Sequence, residues 1–227
     1  MGVLAAKALT RPQSGGLREL ARGTRNFAVA CYQRWLDARF DRKYGIDTRG
    51  VNFDLAAMGV GAEHLAEVNG YEAIQIPMFR AMMRAAGIDP RRYAFVDIGC
   101  GKGRALVLAA EWGFRRIIGV ELAPALYHAA RANLDAYRRR RPRASPIEVR
   151  CGDAVKLPLP DGDALLYFYN PFGEGMMRKM AANIARAYRA APRNLVIVYR
   201  NPVHLPAFDE LNWLRLRACN KSFAIYA

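Results

Sequence analysis

The sequence is poor in the residues that hold metals or staple small folds: four cysteines and three histidines in 227 residues. Cys31, Cys100, Cys151 and Cys219 form no CxxC pair, and His64, His128 and His204 stand apart, so no zinc spacing arises. Scattered thiols suit a reducing compartment. No apolar run approaches the roughly 20 residues that a membrane-spanning helix needs. Residues 1–30 lack the long apolar core and cleavage site of a secretory signal, so the expected location is the cytoplasm. Acids are also in short supply. Asp and Glu number 20 against 35 Lys and Arg, for a net charge of +15. That balance attracts nucleic acid, anionic membranes or acidic proteins. The excess of arginine over lysine, with abundant alanine, is equally what a GC-rich genome produces.

What is present is a folded chain's composition, 52% hydrophobic and 24% charged. The length fits one domain with an extension. Residues 1–50 read as that extension, with ten basic residues against four acidic ones. Pro12 and Gly15-Gly16 interrupt its start. From about 17 to 40 the spacing predicts a helix, with Leu20, Phe27, Ala28, Cys31, Trp35 and Phe40 near one face. Such a helix covers the domain, or makes a peripheral contact with a membrane or partner through its basic surface. Residues 51–76 show no clear period, and 77–87 read as a helix ended by Gly87 and Pro90.

From there strands and helices alternate across 51–227, the expected main domain. Strands are expected at 93–98, 116–121, 147–151, 164–170 and 195–200. Helices are expected at 103–112, 124–141 and 174–190, with a closing strand pair at 214–219 and 222–226. This order predicts an α/β domain built on a mainly parallel sheet with right-handed crossovers. No repeat or low-complexity tract interrupts it.

The first strand runs into Asp97-Ile98-Gly99-Cys100-Gly101-Lys102-Gly103. Glycines let a ligand lie against the backbone, and the next helix opens with free N–H groups. A dinucleotide fingerprint needs glycine at 104, where this chain has Arg104, which argues against a nicotinamide-dependent reductase. A carboxylate at Asp97 repels a pyrophosphate and attracts an ammonium. Glu121 ends the second strand, where a carboxylate accepts both hydroxyl protons of a ribose diol. Gly152-Asp153-Ala154 follows the third strand and sets Asp153 to accept from an adenine amine. Asn170-Pro171-Phe172-Gly173 follows the fourth. All four sites lie at carboxyl ends of strands, where open parallel sheets bind ligands.

Together, Phe95 through Arg104, Gly119-Val120-Glu121 and Gly152-Asp153-Ala154 resemble the first three motifs of class I S-adenosylmethionine-dependent methyltransferases. The resemblance spans about residues 70–227. It implies a Rossmann-like seven-strand sheet with helices on both faces and an antiparallel last strand. It also implies S-adenosylmethionine as cofactor, with Asp97, Gly99, Gly101 and Gly103 at its methionine end, Glu121 at its ribose and Asp153 at its adenine. Tyr71 through Pro77 is a looser version of the upstream Tyr and Pro of protein-lysine-type members, which adds Tyr71 to the cofactor site. The fourth motif has one proline, and its aromatic arrives a position early compared with the Asn-Pro-Pro-aromatic of adenine and glutamine enzymes. Asn170 and Phe172 are the expected acceptor-side residues, and the acceptor atom is expected to be a nitrogen of a protein or small molecule. An RNA or DNA methyltransferase and a non-catalytic S-adenosylmethionine-binding module remain the alternatives. Asn-Pro can equally do no more than end a strand. The Arg138–Arg141 run closes a helix, where positive charge is favourable and solvated. Cys100 reads as a small packing residue.

Overall fold

The computed structural model describes residues 15–52 and 54–227. Pro12 and the basic residues before Gly15 lie outside them. The chain divides into two compact units, Met1–Leu36 and Asp37–Ala227, earlier than the boundary read from sequence at residue 50. Helix α1 (Gly15–Tyr44) runs through the first unit and ends in the second. In the first unit Phe27 is 71% exposed, Cys31 and Trp35 are also exposed, and the Tyr32 and Trp35 rings stack 6.0 Å apart. Phe40, from the same expected row, packs against the core of the second unit. No described helix is long and apolar enough to cross a membrane.

The second unit is built on a seven-stranded sheet. Its strands are β3 (Ala94–Ile98), β4 (Arg116–Glu121), β5 (Ile147–Cys151), β6 (Ala164–Tyr169), β7 (Leu195–Arg200), β8 (Leu216–Cys219) and β9 (Phe223–Tyr226). Their order is β5-β4-β3-β6-β7-β9-β8. The first five are parallel, and β9 inserts antiparallel between β7 and β8. The central strands β3 and β6 are buried nearly end to end, as a sheet covered on both faces requires. Along β3 and β6 the side chains alternate between two cores. Phe95 and Tyr167 pack with Phe79, Phe114 and Val198 on one face, beside α2 (Ile76–Ala86), α3 (Arg104–Trp112) and α4 (Pro124–Arg140). Val96, Leu166 and Phe168 pack with Met177 and Ile184 of α5 (Glu174–Ala190) on the other. The crossover order therefore leaves the carboxyl ends of β3 to β6 along one rim of the sheet.

The strand and helix expectations from residue 93 onward agree with these elements to within two residues. Residues 51–76, which had no period, carry a two-stranded antiparallel pair, β1 (Val51–Asn52) with β2 (Tyr71–Glu72), joined by turns.

Residues 37–50 are tied to the main domain by buried polar contacts. Arg104, at the start of α3, is 2% exposed. Its Nη1 donates to Asp37 at 2.7 Å and its Nε to the Thr48 hydroxyl at 2.8 Å, and Asp41 lies 3.8 Å from Nη2. Thr48 in turn donates to Asp41, and Asn133 of α4 exchanges two hydrogen bonds with the Asp47 backbone. A buried charge left alone is costly, so these partners act as one unit. The arginine run is tied in as well: Arg138 donates to the Ile147 carbonyl, Arg140 to that of Tyr44, and Arg141 pairs with Glu111. The helix end nevertheless stays exposed to solvent, as expected, with these contacts reaching back to its neighbours.

Candidate functional site

The glycine loop forms because β3 must turn sharply to enter α3 beside the end of β4. Gly99 and Cys100 both donate to the Val120 carbonyl at 2.9 Å, which folds the loop back over β4. Gly101 has φ of 53°, and a Cβ there would run into the Tyr71 ring, so only glycine fits. Gly99 and Gly103 are left-handed too, with Gly103 opening α3.

A cavity of about 280 Å³ lies over this loop along the strand ends. Its wall includes Asp97, Gly99, Gly101, Glu121 and Asp153, with Asn170 and Phe172 also on it. Asp97 is 2% exposed, and no described donor reaches its carboxylate. Burial, and then the Glu121 charge, push its pKa well above the ordinary carboxylate value. Glu121 is fixed by two backbone donors, Gly101 N–H at 2.7 Å and Ala123 N–H at 2.9 Å, one on each oxygen. Each oxygen keeps a lone pair for a diol. Burial raises the Glu121 pKa, and the backbone N–H groups of Ala123, Gly101 and Leu122 work against that rise. Asp153 accepts from the Val155 N–H at 2.9 Å and so starts a short 3₁₀ turn, while its other oxygen lies 3.8 Å from Lys156. Gly103 sits in the loop but not on the cavity wall.

Tyr71 stands against the loop, with its ring over Gly101 and its hydroxyl donating to the Thr48 carbonyl at 2.6 Å. The hydroxyl is committed to the scaffold, and the ring is what reaches the cavity. Asn170 adopts a left-handed conformation, φ 39°, unusual outside glycine. Its side-chain oxygen accepts from the Tyr199 hydroxyl at 3.2 Å, and its carbonyl from the Asn69 amide at 2.8 Å. The next carbonyl, of Pro171, accepts the Asn69 N–H. Phe172 is buried against Val68 and Met176 in the core. Cys100 is buried, and burial pushes its thiol pKa far up, as suits a packing residue.

Sequence reasoning passed over four groups on the wall: Glu72, Tyr167, Tyr169 and Asn201. Tyr167 and Tyr169 share a face of β6 by their spacing of two, and Tyr167 lies beside Asp97 in register. That spacing was the available signal. Glu72 and Asn201 carry none, because Glu72 lies on the two-residue strand β2 in a stretch without a period and Asn201 in a bend after β7.

A buried carboxylate without a donor is expensive unless a ligand supplies the missing charge. Asp97 therefore fits an ammonium, the two free lone pairs of Glu121 fit a ribose diol, and Asp153 fits a base amine. This donor set suits S-adenosylmethionine and would repel a pyrophosphate.

Residues 95–191 match the family model described as a methyltransferase domain. That segment holds the glycine loop, Glu121, Asp153 and Asn170. The match is to a methyltransferase-domain model, and the matched segment lies within the seven-stranded sheet of order β5-β4-β3-β6-β7-β9-β8. Among curated proteins the chain is similar to a probable chloroplastic tocopherol O-methyltransferase of Oryza sativa, 26% identical over 171 residues. That match covers 70% of this chain and 46% of the rice protein, so the chain spans about half the length of its relative. Among solved structures it is similar to an RNA methyltransferase from Salinibacter ruber in complex with S-adenosyl-L-homocysteine: 20% identity, TM-score 0.45, covering 66% of this chain and 88% of that one. A methyltransferase from Streptomyces caelestis shares 19% identity, with TM-score 0.41, 55% of this chain and 49% of that one.

Proposed function

We propose that this chain transfers a methyl group from S-adenosylmethionine to a nitrogen of a protein or small molecule. The observation that carries the reading is the buried, donorless Asp97 in one cavity with Glu121 and Asp153. S-adenosylmethionine, when bound, supplies an electrophilic methyl on a sulfonium. The residues of the chain hold and orient. Asp97 takes the ammonium of the methionine end, Glu121 the ribose hydroxyls and Asp153 the adenine amine. The glycine loop lets the ligand approach the backbone closely. Phe172 and Pro171 exclude water from the far wall, and Asn170 fixes the turn that presents them. Alignment and dryness are the main contributions a protein makes to such a transfer.

The exposed Phe27, Tyr32 and Trp35, with Arg25 and Arg34 on the same helix, support a peripheral contact through the basic N-terminal segment. A location in the cytoplasm is in keeping with the scattered free thiols.

Calorimetry of S-adenosylmethionine on the wild type and on Glu121→Ala tests the assignment. Losing a pair of hydrogen bonds to a charged group, at about 1.5–3 kcal/mol each, predicts weakening by about 100-fold or more. A folded wild type that binds no S-adenosylmethionine would refute it.

A further inference from the structure

The cavity has a second end, and its chemistry is one-sided. Beyond the three cofactor-side carboxylates, the charged wall residues are Glu72 and Arg104. Arg104 is already committed to Asp37, Thr48 and the Ile74 carbonyl. No histidine or lysine lines the described wall. In a molecule of net charge +15, the cavity is thus acidic. It repels phosphates and carboxylates and attracts cations.

The polar groups at this end are specific. Glu72 follows Tyr71 on β2, and its carboxylate faces the Tyr169 hydroxyl at the end of β6. Burial, and then Glu72, hold the Tyr169 pKa up at about 12, so the phenol keeps its proton and serves as a donor. The Arg200 guanidinium lies over the Tyr169 ring, 5.2 Å from its centroid, and holds the ring in place. Arg200 itself donates to the Ser222 carbonyl and does not line the cavity. Next along the wall, the Tyr167 hydroxyl is buried without a hydrogen-bond partner. A buried orphan hydroxyl is uncommon and points to a polar group supplied by a ligand. The nearby Asn170 is occupied instead: its side-chain oxygen and carbonyl both already accept hydrogen bonds.

We infer that Glu72 and Tyr169 form the acceptor subsite and that the acceptor is an amine, bound as its ammonium. This rests on the methyltransferase reading above. Glu72 draws the cation in. It then accepts one proton from the nitrogen, so that R–NH3⁺ and a carboxylate become R–NH2 and a carboxylic acid. The freed lone pair is what a methyl donor requires. Tyr169 donates to the Glu72 carboxylate and orients it.

Sinefungin tests this directly. It carries an amine where S-adenosylmethionine carries its sulfonium methyl, whereas S-adenosylhomocysteine is neutral there. Calorimetry with both ligands is run on the wild type, Glu72→Gln and Tyr169→Phe. The wild type is expected to bind sinefungin about tenfold more tightly than S-adenosylhomocysteine, the gain from one charge-assisted contact. Glu72→Gln is expected to erase most of that preference and Tyr169→Phe part of it, with S-adenosylhomocysteine binding unchanged in both. Glu72 is exposed, so its substitution leaves the fold intact. A preference that survives in both variants, or no preference in the wild type, overturns the amine subsite. A wild type that binds neither ligand instead overturns the cofactor reading, and the two failures are distinguishable.

Discussion

Asp97 trades stability for binding. Its pKa in the folded chain lies well above the ordinary carboxylate value, because burial and the Glu121 charge oppose ionisation. An acid raised in this way favours folding below its ordinary pKa, and that contribution is lost as pH climbs toward the raised value. The loss is at most about 1.4 kcal/mol per pH unit. Asp97→Asn has no such titration. Melting curves of the ligand-free proteins are therefore expected to shift in favour of the variant between pH 5 and pH 8. The same variant is expected to bind S-adenosylmethionine about 10- to 100-fold more weakly, since a charge-assisted contact is gone. A melting difference that does not change with pH would mean that Asp97 ionises as an ordinary carboxylate. Asp97, Glu121 and Asp153 were legible in the sequence, because a parallel strand delivers the residue at its carboxyl end to the ligand edge wherever its neighbours lie. Glu72 and Tyr169 were not, since their meeting depends on where β2 comes to rest against β6.

At the level of elements, the stretch between Asp37 and Gly50 is the least expected part of the fold. It read as the end of a basic extension. It instead supplies Asp37, Asp41 and Thr48 to the buried Arg104, and Tyr44 to the main core. Arg104 opens the helix that follows the glycine loop, so these contacts also fix the loop. A chain starting at Asp37 keeps every partner, and one starting at Val51 leaves Arg104 buried and unpaired. Breaking a buried ion pair from one side costs about 3–5 kcal/mol. The Val51 chain is therefore expected to melt about 10 °C or more below the Asp37 chain. Equal melting temperatures would mean the Arg104 contacts contribute nothing. Periodicity could not show this element, because its stabilising contacts span 56 and 67 residues of sequence.

Across the whole molecule the charge is divided unevenly: a basic exterior encloses an acidic cavity. A cation-seeking cavity in such a chain binds its ligand by local geometry, so occupancy stabilises the fold directly. S-adenosylhomocysteine at about 100 times its Kd is expected to add about 2.7 kcal/mol, or roughly 5–10 °C in Tm for this size. Glu121→Ala at the same concentration is expected to lose most of that shift, and an unchanged shift would place the ligand elsewhere. The sequence by itself determined the alternation of strands and helices, the glycine loop and the three carboxylates at strand ends. Those follow from local periodicity and from the rule that parallel strands end on one edge. Only the tertiary structure decided that residues between 55 and 74 wall the cavity and that Arg104 is an internal tie. It also decided that Glu72 joins Asp97, Glu121 and Asp153 on the wall of one cavity within a basic protein. Those features arise from side chains distant in sequence, whose pairing depends on how burial and charge are balanced once the sheet has formed.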